Sequence, residues 1–420
     1  MRQRGIRSVR RGKTLVQYPD VQVVGAMKMA EQRTHESTKI LFIHKGGNQI
    51  RGMEQCLLAL LRNINGRRID PILVCTNEAL VNEARKCNIR TFLFDMHEIM
   101  IDGTGTTLPL LRYLKSLWMF GKIIREERID LIYCNGGLPC QTAVPVAKLL
   151  NIPVLCHLHH VSARRYYYLY LVRYANHVIF PSKFTSDYSY GKAGITGEVV
   201  FNGVNTSDFQ PLIRREDSLR RFHAISDTDV VIGQVSAFTK LKRHDVLVAA
   251  FGLACQELDN LRLILVGEGP ERKRIEEMVR ARGLEGRIIF TGYVERAIDY
   301  FQQVIDINVL ASVEEGLGIA LLEASACGLP NIGADCTGIR EAVRDNETGY
   351  LFTKDSMAEL AARIVELAKD PQKRKQMGLN GRRYVESKFS ENDYVTKIFE
   401  KIFSTIERHS SGKGRLIPGE

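Results

Sequence analysis

Twelve short apolar runs, separated by longer amphipathic stretches, limit what this chain can fold into more than any single motif does. From Lys39 the runs "KILFIH", "DPILVC", "IRTFLF", "DLIYCN", "IPVLCH" and "HVIFPS" follow one another, with helical patterns such as "MEQCLLALLRNI" between them. That alternation predicts a parallel, doubly wound sheet. It stops at the turn-rich "VVFNGVNTSDFQP" and restarts with "DVVIGQVSAF", "LRLILVGEG", "RIIFTGYV", "DINVLAS", "LPNIGAD" and "GYLF". The fold class is therefore α/β, with two similar units. We expect a first domain over residues 38–204 and a second over 205–385, with a helix at 386–408 packing back on the first. Open sheets bind ligands at the C-terminal ends of their strands, so the cleft between two such sheets is where chemistry is expected.

The totals narrow the class. At 420 residues the chain exceeds one ordinary core. Runs such as "YYYLYLV" are broken by Arg173 well before the ~20 residues of a membrane span. Nine cysteines are scattered singly, with no C-x-x-C spacing for zinc, which suits a reduced cytoplasmic compartment. The net charge of +11 asks for an anionic partner and does not choose among nucleic acid, membrane surface and phosphate-bearing substrate. Residues 1–37 open with six basic and no acidic residues in "MRQRGIRSVRRGK" and read as a disordered basic tail, as do residues 409–420.

The segment "EEGLGIALLEASACG" carries the most chemistry. It joins a strand to a helix, with Glu315 in the loop and Glu323 in the helix's first two turns. Unpaired N–H groups at the helix start attract anions, and Gly316 and Gly318 let backbone approach a ligand closely. Carboxylates accept from vicinal hydroxyls. The ligand implied is a diphosphate flanked by two sugars; the competing reading is that both acids cap the helix and face water. "SAFTKLKRHDVL" sets Lys240, Lys242 and Arg243 after another strand, a placement that suits phosphate neutralisation. "KGGNQIRGME" and "VLCHLHH", with His157, His159 and His160, end strands of the first unit. "LVGEGP", with Gly267 and Gly269, lacks the third glycine of a dinucleotide fingerprint. "DTD" at Asp227 to Asp229 precedes a strand, away from the cleft, and reads as a turn.

Together these segments resemble retaining glycosyltransferases of the GT-B fold, family four, whose E-x7-E motif is similar to "EEGLGIALLE". The similarity covers residues 39 to 405. It implies that Glu315 and His159 are catalytic and that Glu323 binds the donor's ribose. Lys242 would neutralise the leaving diphosphate. Gly316, Leu317, Gly318 and Ile319 would surround sugar and phosphates, with Gly52, Arg243 and Val294 also on the donor side. No metal and no cofactor are implied. The donor would be a UDP-, GDP- or ADP-sugar, and the acceptor a glycan, a lipid-linked sugar or a small molecule in polysaccharide or glycoconjugate synthesis.

The chain departs from the family at Ala237, where a second phosphate clamp is usual, and at Arg51, where a glycine is usual. Arg243 or Lys240 would have to substitute for the clamp. The basic, aromatic "SARRYYYLYLVRY" fits either a packed helix or peripheral contact with an anionic inner membrane face. The rival functions are a sugar-nucleotide-binding protein without catalysis and a nucleic-acid binder, for which no base-reading motif appears.

Overall fold

The apolar runs form strands because each is buried on both faces, as parallel sheets covered by helices require. The computed structural model describes residues 22–24, 37–97, 99–102, 105–107, 110–212 and 218–412. The first sheet is built from β1 (Gln22–Val24), β2 (Thr38–His44), β3 (Ile69–Cys75) and β4 (Arg90–Leu93). After a separate two-stranded ribbon, β5 (Met100–Asp102) and β6 (Gly105–Thr107), it continues with β7 (Leu131–Asn135), β8 (Val154–His157), β9 (His177–Phe180) and β10 (Glu198–Val199). Its order is β1-β4-β3-β2-β7-β8-β9-β10, parallel except for β1.

The second sheet comprises β11 (Val230–Val235), β12 (Leu261–Val266), β13 (Ile288–Gly292), β14 (Ile307–Leu310), β15 (Asn331–Ala334) and β16 (Gly349–Phe352). It is wholly parallel, in the order β13-β12-β11-β14-β15-β16. In each sheet the winding direction reverses once, between β2 and β7 and between β11 and β14. Those two reversal points define where each half can bind a ligand.

The helices of the first half are α1 (Gly52–Arg62), α2 (Glu78–Lys86), α3 (Leu110–Glu127), α4 (Cys140–Leu150), α5 (Arg164–Leu169) and α6 (Lys183–Ala193). The second half begins with α7 (Ser218–Phe222), α8 (His244–Ala254), α9 (Arg272–Ala281), α10 (Ala297–Gln303), α11 (Ile319–Ala326), α12 (Ile339–Ala342) and α13 (Met357–Lys369). Then α14 (Pro371–Lys388) and α15 (Glu391–Ser410) close the chain. Among the described residues no helix is long and apolar enough to cross a membrane.

Two expectations need correction. The tail expected over residues 1–37 contains β1, which pairs antiparallel with β4 and satisfies an edge that would otherwise expose unpaired N–H and C=O groups. Residues 1–21, 25–36 and 413–420 lie outside the described residues. The single helix expected at 386–408 is two: α14 ends at Lys388, and Ser390 starts α15 by accepting a hydrogen bond from Asp393 N at 3.2 Å.

At that break the chain returns to the first half beside the strand of chain that left it. Val204 N donates to Phe389 O (2.8 Å) and Glu391 N to Val204 O (3.1 Å), so the two crossings are bonded to one another. Helix α15 then buries Tyr394, Val395, Ile398, Phe399 and Ile402 among the residues of β2, β3 and α1. Tyr394 donates to Cys56 O (3.3 Å), and Lys401 pairs with Glu198. Ile398 is fully buried, so Ile398→Ala is expected to lower stability by about 2–5 kcal/mol in denaturant unfolding. A loss under ~1 kcal/mol would mean that α15 is not part of that core.

Candidate active site

The winding reversal of the second sheet places two loops side by side, one after β11 and one after β14. The first carries Lys242 and the second Glu315, and Lys242 Nζ donates to Glu315 Oε1. The pair is held from below. Gln234 Nε2 donates to Lys242 O (3.0 Å), Ser312 Oγ to Glu315 Oε1 (2.7 Å), and Glu315 N to Thr337 Oγ1 (2.9 Å). Three residues later Gly318 has φ 84° and ψ 60°, a left-handed turn that glycine adopts without a Cβ penalty, and α11 starts there. Glu323 lies one turn into α11, and burial pushes its carboxyl up to about 8.

The reversal of the first sheet places His44 at the end of β2 beside Asn135 at the end of β7. A continuous chain of hydrogen bonds runs through them. Arg51 N donates to Glu54 Oε2 (3.0 Å), and His44 Nε2 meets Glu54 Oε1 (2.9 Å). Asn135 Nδ2 meets His44 Nδ1 (3.0 Å), and His159 Nε2 meets Asn135 Oδ1 (2.7 Å).

The amide assigns the protons: Nδ2 can only donate and Oδ1 can only accept. His44 is therefore protonated on Nε2, and so is His159, which leaves His159 Nδ1 as a buried acceptor without a partner among the described residues. Burial, with His157, His160 and His44 nearby, holds His159 well below the usual imidazole range, so it is neutral. The neutral imidazole can accept from a ligand hydroxyl through Nδ1.

The two halves meet at these loops. A Cβ on Gly316 would overlap the carbonyl oxygen of His159, so only glycine permits this approach. Gly52, the first residue of α1, faces Ile319, the first residue of α11, and a Cβ on Gly52 would stand 3.0 Å from Ile319 Cδ1. Two helix N-termini thus converge near the Lys242 ammonium, which makes the cleft floor attractive to a diphosphate. Glu341 spans the halves by accepting from Lys183 N (3.1 Å) and Phe184 N (2.8 Å) at the start of α6. On the first-half side a cavity of about 160 Å³ is lined by Lys45, Met53, Asn135, His160, Tyr167 and Tyr170. Among the described residues no cluster of His, Cys, Asp or Glu side chains is placed to hold a metal ion.

Comparison with known proteins decides the family. Residues 50–208 match the model of Glycosyltransferase Family 4, and residues 215–384 match that of Glycosyl transferases group 1. The chain belongs to the group 1, family 4 glycosyltransferases.

This family 4 chain is 31% identical over 195 residues to N-acetyl-alpha-D-glucosaminyl L-malate synthase of Bacillus anthracis, covering 46% of this chain and 51% of that one. It is 28% identical over 204 residues to a GDP-mannose-dependent alpha-(1-6)-phosphatidylinositol monomannoside mannosyltransferase of Mycobacterium tuberculosis, covering 47% and 53%. The matches thus span about half the length of these relatives. The fold is similar to that of Anabaena HepE in complex with UDP-glucose, with a TM-score of 0.77, 21% identity, and coverage of 87% of this chain and 99% of that one. The fold is accordingly GT-B, two Rossmann-like halves facing across a cleft.

In this glycosyltransferase fold, Glu315, Lys242, Gly316, Gly318, Ile319, Gly52 and His159 stand around one cleft. Leu317 is buried in the core, so only its backbone can reach a ligand. Val294 packs against the Tyr300 and Phe301 cluster. Arg243 is turned to Asp245 (3.0 Å) and Asp355, while Lys240 is exposed. The sequence reading missed Asn135, His44, Glu54 and the Glu341 bridge. His44 and Asn135 each end a strand, and that position was the available signal.

Asn135→Leu keeps the volume and removes the three hydrogen bonds of the amide, to His44, to Met53 O and from His159. It is expected to cost about 1–3 kcal/mol in denaturant unfolding, from the buried imidazole groups left unpaired. An unchanged midpoint would show that the chain of hydrogen bonds contributes nothing.

Proposed function

We propose that this chain transfers a sugar from a nucleotide diphosphate sugar to a hydroxyl acceptor, with retention of configuration and without a metal. The observation that carries the proposal is the meeting of the two reversal points, which sets Lys242 and Glu315 across from His159 around converging helix N-termini. The diphosphate lies between the starts of α1 and α11, with Lys242 neutralising charge as the leaving group departs. Glu323 accepts from the ribose hydroxyls. Glu315 and His159 hold the transferred sugar at the reacting carbon.

The acceptor enters through the cavity of the first half, and its hydroxyl proton passes to the departing diphosphate on the same face of the sugar. No covalent nucleophile is needed in that account. Relatives whose names specify acceptors use a hydroxy acid and a phosphatidylinositol mannoside, so the acceptor is a small molecule, a glycan or a lipid-linked sugar. The nine free cysteines suit a reducing cytoplasm.

The test is thermal unfolding against UDP-, GDP- and ADP-sugars in EDTA, then with magnesium. A donor at 100 times its Kd is expected to add about 2.7 kcal/mol, a rise of several degrees. No shift with any donor, or a shift that needs magnesium, would overturn the metal-free reading. A second reading, a binding protein without turnover, is favoured only by Ala237, and release of free sugar excludes it.

A further inference from the structure

Helix α3 is apolar on two opposite faces, and only one of them is covered. Met119, Phe120, Ile123 and Ile124 point into the first half's core. Leu111, Leu114 and Trp118 recur at helical spacing on the other side and are 82%, 50% and 62% exposed. Trp118 is the chain's only tryptophan. Lys115 and Lys122 lie on the same stripe, within an arc of about 100° at 3.6 residues per turn, and Lys122 Nζ sits 5.7 Å from the Trp118 ring.

The surface continues onto neighbouring elements. Tyr113 of α3 donates to Gln141 O (2.8 Å), and Gln141 Nε2 donates to Leu169 O of α5 (3.0 Å), so these elements are locked edge to edge. Beyond them stand exposed Tyr168 and Tyr174, with Arg164, Arg165 and Arg173 also exposed. The charge is mostly positive: residues 103–125 and 131–186 contain no Asp or Glu and together hold nine Lys and Arg, and the exposed acid on this side of α3, Glu126 near its C-terminal end, lies 3.9 Å from Lys122. Tyr167 and Tyr170 of the same segment line the cavity of the first half.

We propose that the α3–α5 face is a docking surface for an anionic lipid bilayer, with Leu111, Leu114 and Trp118 entering the headgroup boundary and the basic residues facing lipid phosphates. A protein partner covering an apolar stripe would bring acids of its own. A bilayer supplies apolar depth, an interface suited to Trp and Tyr, and negative charge together. The inference does not depend on sugar transfer, and its test involves no donor.

The experiment is flotation of the full chain with phosphatidylcholine vesicles, with and without phosphatidylglycerol, at low and high salt. The wild-type chain is expected to float with anionic vesicles and stay behind with neutral ones, and to be released by salt. Leu111→Ser, Leu114→Ser and Trp118→Ser combined should weaken partitioning about tenfold or more with an unchanged unfolding midpoint, because the three side chains are exposed. Arg164→Glu with Arg165→Glu should weaken it as well. Absence of wild-type flotation, or equal flotation of the triple variant, would overturn the proposal. So would a wild-type dimer that the triple variant converts to monomer, since a second copy would then cover the stripe.

Discussion

Lys242→Ala is expected to lower kcat by about 10²–10³-fold, the loss usual when a preorganised charge is removed from a developing anion. The reason is positional. Lys242 is fixed by the Gln234 hydrogen bond to its carbonyl and by its ion pair with Glu315, so its ammonium is already at the cleft floor before a donor arrives. Arg243 is committed to Asp245 and Asp355 and position 237 is alanine, so neither substitutes for Lys242 beside Glu315. Donor affinity should fall much less than kcat, since the charge grows as the bond breaks. Steady-state kinetics on the donor found by thermal shift checks this, and a loss below threefold would remove Lys242 from the reaction.

Glu323 gives a pH-dependent signature. Burial raises its carboxyl to about 8 in the folded chain, whereas an unfolded glutamate titrates near ~4.3. The folded protein thus retains a proton that the unfolded chain releases between those values. Its stabilising effect is full below about pH 4.3 and is lost as pH rises through about 8. Glu323→Gln cannot ionise and should flatten this dependence. At pH 8.5 the variant is expected to exceed the wild type by about 2–4 kcal/mol in urea unfolding, the full shift being reduced because the side chain is only half-buried. At pH 4.5 the two should coincide. Parallel pH profiles would show that the carboxyl is not desolvated. Glu323→Ala should also weaken donor binding by about 1–3 kcal/mol, through the hydrogen bonds lost and the ribose hydroxyls left unpaired.

Much of the architecture was legible because parallel strands are buried on both faces and read as unbroken apolar runs. All twelve runs quoted from the sequence became strands. Glu315 and Lys242 could be picked out for a related reason: each follows such a run, and strand C-terminal ends are where these sheets bind ligands. That they touch is a consequence of strand order, which periodicity does not contain.

The same limit hid the first half's hydrogen-bond chain. His44, Glu54, Asn135 and His159 are spread over more than a hundred residues and meet only because β2 and β7 are neighbours. Arg243 looked as available as Lys242 in "KLKRHD", and only the fold shows Asp355, more than a hundred residues away, beside it. Strand β1 was invisible because three residues carry no periodicity, and its pairing depends on an edge elsewhere. The outward stripe on α3 was hidden because its stretch reads as an amphipathic helix, and the sequence does not say which of its apolar residues the core covers.

The most direct test of the central claim is proton NMR of the wild-type chain with the donor found by thermal shift, in EDTA and without acceptor, following the anomeric signals from the first minutes. The account predicts slow release of free sugar that first appears in the donor's own anomeric configuration, together with the nucleoside diphosphate, and no release by Lys242→Ala. First appearance of the opposite anomer, or release that Lys242→Ala leaves unchanged, would contradict it.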